Sequence, residues 1–145
     1  VARDLEAAER VRRGDKAVDA LEEQVNDEVA RTIALRAPVS LDLRILLSVL
    51  RLSASLERIG DYAKNIAKRT TVLAEARPAP GADQSLRRMA REVGGMLKDT
   101  LDAFVRRDAG LARDVIARDE GVDAMYNALF RELLTFTMED PRTIT

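Results

Sequence analysis

The sequence predicts an all-α protein, and three observations carry that expectation. Over long stretches apolar residues recur every three or four positions, the period of one helix face. Breaks are confined to Pro38, the run Arg77-Pro78-Ala79-Pro80-Gly81-Ala82 and a short turn at Arg107-Asp108, which leaves four long helices between them. The chain also repeats itself. Laying Val1-Ala2-Arg3-Asp4 on Val105-Arg106-Arg107-Asp108 brings Ala8 onto Ala112, Val11 onto Val115, Asp15 onto Asp119, Val18 onto Val122, Asp19 onto Asp123 and Ala20 onto Ala124. The register holds without a gap at 119 − 15 = 104 residues, so two copies of one helical unit are expected.

The first helix is expected to start from Asp4 as N-cap and to run to about Arg36. Leu5, Ala8, Val11, Val18, Leu21, Val25, Val29 and Ile33 form its stripe, and Gly14 is a soft spot within it. Pro38, which lacks an amide hydrogen, ends it, and Ser40 is read as the cap of the next. The stretch Leu41–Arg69 holds no proline and only Gly60, so nothing stops a helix of about eight turns. Ile45, Val49, Leu52, Leu56, Ile59, Ala63 and Ile66 form one predicted seam, and Leu43, Leu46, Leu47, Leu50 and Ala54 a second apolar face. Glu57 and Asp61, four apart, continue that second face and project roughly opposite the seam, so they are expected to serve something other than a core.

Residues 77–82 read as a linker, dividing the chain into a first unit at 1–76 and a second at 83–145. Asp83 is expected to cap the third helix, whose apolar face is Leu86, Met89, Ala90, Val93, Leu97, Leu101, Phe104 and Val105. Gly94-Gly95 is read as a place where another helix passes closely. Leu111, Val115, Val122, Met125, Leu129, Leu133 and Phe136 face inward on the fourth helix, which closes at Met138-Glu139-Asp140-Pro141.

Asp42-Leu43-Arg44, followed by Leu56-Glu57-Arg58-Ile59-Gly60-Asp61 and Asn65-Ile66-Ala67, resembles the signature helix of the PhoU family of phosphate-uptake regulators. The resemblance extends more weakly over nearly the whole chain, and Met138-Glu139-Asp140-Pro141-Arg142 is also similar to the family's sequence before its last helix. It implies two tandem three-helix bundles, of which this sequence holds the second to fifth helices and a stub of the first. The lack of an initial methionine and the early helical pattern agree with a start inside a larger protein. The resemblance further implies a cytoplasmic negative regulator of phosphate uptake and of the phosphate-starvation response. Such a regulator links the phosphate ABC transporter, through its ATPase, to a sensor histidine kinase, reaches the membrane only through those partners, and forms homodimers. The family's E/DxxxD motifs bind metal, and Asp15, Asp19, Glu57, Asp61, Asp119 and Asp123 fall on those positions.

Composition limits the chemistry independently. The 145 residues carry 24 Lys and Arg against 25 Asp and Glu, so no global basic field attracts nucleic acid. There is no Trp, and aromatic residues are only 3%, which removes the stacking platforms that single strands need. With no His and no Cys, histidine-based and thiolate catalysis and the usual zinc sites are excluded from this chain, and any metal must be held by oxygen. A non-enzymatic binding protein is expected.

Each acidic pair presents two carboxylates one turn apart on a helix face, and two pairs on adjacent helices can enclose a hard or borderline cation such as iron, zinc, manganese or magnesium. Acidic pairs are equally common on plain solvated faces. Glu22, Glu23 and Asn26 lie near the Asp15/Asp19 face as weaker additions, and Asn65 sits near Asp61. Arg44, Arg51 and Arg58, spaced by seven, read either as a partner- or anion-binding stripe or as ion-pairing residues toward neighbouring helices. Two further readings stay open: a metal-binding or metal-storage helical protein, and a helical adaptor without metal.

Overall fold

The computed structural model describes residues 4–73 and 81–139, with the backbone alone for 71–73 and 139. It contains four helices: α1 (Leu5–Arg36), α2 (Ser40–Leu73), α3 (Ala82–Arg106) and α4 (Ala109–Glu139). No strand occurs among the described residues. Helix α1 packs on α2 and α3 packs on α4, giving two compact units. Most of the expected linker and the tail after Glu139 lie outside the described residues.

Helix ends follow local chemistry. The Asp4 carboxylate accepts a 2.9 Å bond from the Ala7 amide, as expected for an N-cap. Ala37 takes a left-handed conformation (φ 42°) and its amide donates to the Ile33 carbonyl at 3.1 Å, which closes α1 just before Pro38. Ser40 opens α2 with φ 49°, and its hydroxyl makes no capping bond, so the expected cap is replaced by a backbone turn.

The third helix differs in the same way. Gly81 is the N-cap at φ 81°, a left-handed conformation that favours glycine; among the described residues the only atoms a Cβ would meet belong to the flexible end of Glu132, which can move aside. Asp83, expected as the cap, sits inside the first turn and accepts from Arg87 Nε at 3.0 Å. Asp108 does cap α4, its Oδ1 accepting 2.9 Å bonds from the amides of Gly110 and Leu111.

Burial is sparse because two paired helices cover only one stripe of each other. Among the described residues the buried apolar side chains are Ala8, Val29 and Ala67 in the first unit and Ala103 and Leu129 in the second. On α2 the expected seam divides. Ile45, Val49, Leu52 and Leu56 are half-buried, whereas Ile59, Ala63 and Ile66 are exposed, Ile66 at 69%. There the line facing α1 is Glu57, Gly60, Lys64 and Ala67, spaced three, four and three. The carboxylates therefore lie on the packed side of the helix, and the apolar residues expected there lie outside it.

Nothing lies within 4 Å of a Cβ added at Gly94 or Gly95, so the close helix approach expected there is not what the glycines serve. No helix among the described residues is long and apolar enough to cross a membrane.

Candidate functional site

Asp15 is the one buried charged residue among those described, with its side chain 3% exposed. It is held from α2, where Gly60 gives it room: a Cβ there would lie 3.5 Å from Val18 Cγ1 and 3.8 Å from Asp15 Oδ1. The partner is Lys64, whose ammonium pairs with Asp15 Oδ2 across the helices and with Asp61 Oδ1 at 3.2 Å on its own helix. A carboxylate stripped of water needs such a cation, because desolvation penalises an isolated buried charge heavily. Lys64 is held charged in return, its pKa raised above 10.5 by hydrogen bonds first to Asp15 and then to Asp61.

Other acids crowd the same place. The Glu57 carboxyl is raised above its usual 4.5 by burial first and then by the charges of Asp61, Asp19, Glu22 and Asp15. Glu22 is itself tied down, accepting from Asn26 Nδ2 at 2.7 Å. Asp15 Oδ1 is buried without a hydrogen-bond partner.

The second unit is built differently. Arg118 of α4 reaches across to α3, with Nη2 2.6 Å from Asp99 Oδ2 and Nη1 3.9 Å from Glu92 Oε1, and its Nε lies 3.4 Å from Asp114 Oδ2. Asp119 and Asp123, the repeat counterparts of Asp15 and Asp19, are exposed.

The profile described as "PhoU domain" matches residues 1–70 and 86–145. The chain belongs to the PhoU domain family. It is 49% identical over 142 residues to a Caulobacter vibrioides (strain NA1000 / CB15N) protein named phosphate-specific transport system accessory protein PhoU homolog, covering 98% of this chain and 62% of that protein. A Xylella fastidiosa (strain Temecula1 / ATCC 700964) protein of the same name is 45% identical over 143 residues, covering 99% of this chain and 59% of its own length. The crystal structure of PhoU from Pseudomonas aeruginosa superposes with a TM-score of 0.92 at 38% identity, covering 98% of this chain and 68% of that one. The chain thus spans about three fifths of the curated relatives it matches.

Within this PhoU-domain chain, Asp15, Asp19, Glu57 and Asp61 share one neighbourhood between α1 and α2. Arg44, Arg51 and Arg58 are all exposed. Among the described residues they make no ion pair; Arg58 Nε donates to Tyr62 Oη at 3.1 Å and its guanidinium stacks 5.7 Å from that ring. Asn65 is exposed, and Glu23 is exposed beside a shallow groove on α1.

Sequence reasoning missed Lys64. Its signal was available, since 57, 60/61 and 64 are successive turns of one helix face, and a lysine three residues after an aspartate completes that face. Its presence bears on the metal expectation: among the described residues no three acidic side chains converge as a metal-holding group. With Lys64 between Asp15 and Asp61, the donors as placed do not fit a metal ion.

Proposed function

We propose that this PhoU-domain chain is part of a negative regulator of phosphate uptake and of the phosphate-starvation response. It acts in the cytoplasm as a non-catalytic helical adaptor, docking on the ATPase of the phosphate ABC transporter and on a sensor histidine kinase, as a homodimer. Membership of a family whose relatives are named phosphate-specific transport system accessory proteins carries this reading. The exposed stripe Arg44, Arg51 and Arg58, which makes no ion pair among the described residues, supports it as a docking face for an acidic partner surface. Deleting the gene should leave a phosphate-responsive reporter switched on at high phosphate. Full repression in the deletion strain would contradict the reading.

A second reading concerns metal. The orphaned Asp15 Oδ1 favours a cation among Asp15, Asp19, Glu57 and Asp61 once Lys64 withdraws, and Asp119 and Asp123 supply the equivalent carboxylates in the second unit. Such an ion would tie helices together rather than take part in a reaction.

A further inference from the structure

In the first unit Asp15 of α1 and Asp61 of α2 are bridged by an ammonium supplied by the chain itself, with Asp19, Glu22 and Glu57 close enough to act on one another's charge. We propose that Lys64 is the resident cation of this cluster, placed between Asp15 of α1 and Asp61 of α2 where a metal ion would have to sit, so that metal enters only by displacing it. Lys64 thereby sets the specificity of the site against metal. This inference rests on the metal reading of the acids and is independent of the regulator reading.

Geometry carries the argument. Asp15 is buried and its Oδ2 is already engaged by Lys64, so a metal recruiting that oxygen must break the pairing. Asp61 Oδ1, a donor on α2, is held by the same ammonium at 3.2 Å. Asp15 Oδ1 is buried and unpartnered, but the other Asp15 oxygen and Asp61 Oδ1 are both taken by Lys64, and a hard cation requires about six oxygen ligands.

The ammonium also has basic surroundings on one side. Lys64 lines a groove of about 450 Å³ with Arg12, Arg13, Lys16, Lys68 and Glu9, and Glu9 is engaged by both arginines at 3.2 and 3.0 Å. Yet the lysine is a removable plug. It sits on a four-carbon stem with its side chain 30% exposed, so the ammonium can turn into water without moving either helix.

The test uses the full chain and Mn²⁺ as probe, comparing the wild type with Lys64→Met and Lys64→Arg by titration calorimetry. Lys64→Met is expected to bind Mn²⁺ roughly tenfold or more tightly than the wild type, and Lys64→Arg, which keeps a cation, no better than the wild type. Equal affinity in the wild type and Lys64→Met overturns the proposal while leaving the metal reading intact. A folded Lys64→Met chain that takes up no Mn²⁺ overturns both. Should Lys64→Met fail to fold, amine labelling of the wild type decides. Lys64 should react roughly tenfold more slowly than Lys98, whose side chain is 74% exposed, and equal rates overturn the proposal.

Discussion

Asp15 and Asp119 occupy the same position in two copies of one helical unit, yet one is buried and the other lies in water. The copies meet different neighbours. Helix α1 packs on the helix that follows it, and α4 packs on the helix that precedes it, so different faces of the same pattern are covered. The residue engaged in α4 is Arg118, equivalent to Gly14 of α1 and rotated by about 100° from Asp119. Each unit closes on a charged clasp, but the polarity is reversed: an acid of α1 held by a lysine, and an arginine of α4 held by acids. A repeated sequence thus yields different sites when different partners cover it.

The sharpest way to break this comparison is to remove both aspartates separately. Asp15→Ala strips Lys64 of its buried partner and should lower the thermal midpoint by several degrees. Asp119→Ala, on an open face, should change stability by no more than about 0.5 kcal/mol. Similar losses in the two variants would show that burial does not distinguish the copies.

A smaller effect is expected at Glu57, whose carboxyl is held above 4.5 by burial and by its acidic neighbours. Its charged form opposes folding at neutral pH, and the penalty is relieved as pH falls through the raised value and the group protonates. Glu57→Gln should therefore raise the thermal midpoint at pH 7, and the gain should vanish on acidification to about pH 4. A gain that persists in acid would assign it to something other than charge.

A modest gain is expected at Gly60. A Cβ there makes ordinary contact at 3.5 Å with Val18, so Gly60→Ala should gain up to about 1 kcal/mol of helix propensity in urea denaturation. Destabilisation would mean that α1 leaves no room for a methyl group at this position.

Much of the fold was legible because helix limits are written locally. The Asp4 cap, the stop at Pro38 and the turn at Arg107-Asp108 were all read from short-range chemistry and are found in place. The caps at Ser40 and Asp83 were misread, since a left-handed Ser40 and a left-handed Gly81 supply those turns through the backbone. The acids of the first unit were legible as pairs, but not the face they use. Apolar periodicity alone placed Ile59 and Ile66 inside, whereas α1 covers the side bearing Glu57, Gly60 and Lys64. Which of two amphipathic sides is covered depends on which neighbour is present, and single-helix periodicity carries no information on that. Lys64 escaped notice for a related reason: a lysine on a charged helix looks like solvated surface until its partner on another helix is known.

The interhelical pairing of Asp15 with Lys64 is tested most directly by a double-mutant cycle in thermal unfolding, using Asp15→Asn, Lys64→Met and the two together. The double variant should be less destabilised than the sum of the single variants, because each single change strands the other group. Strict additivity would contradict the pairing.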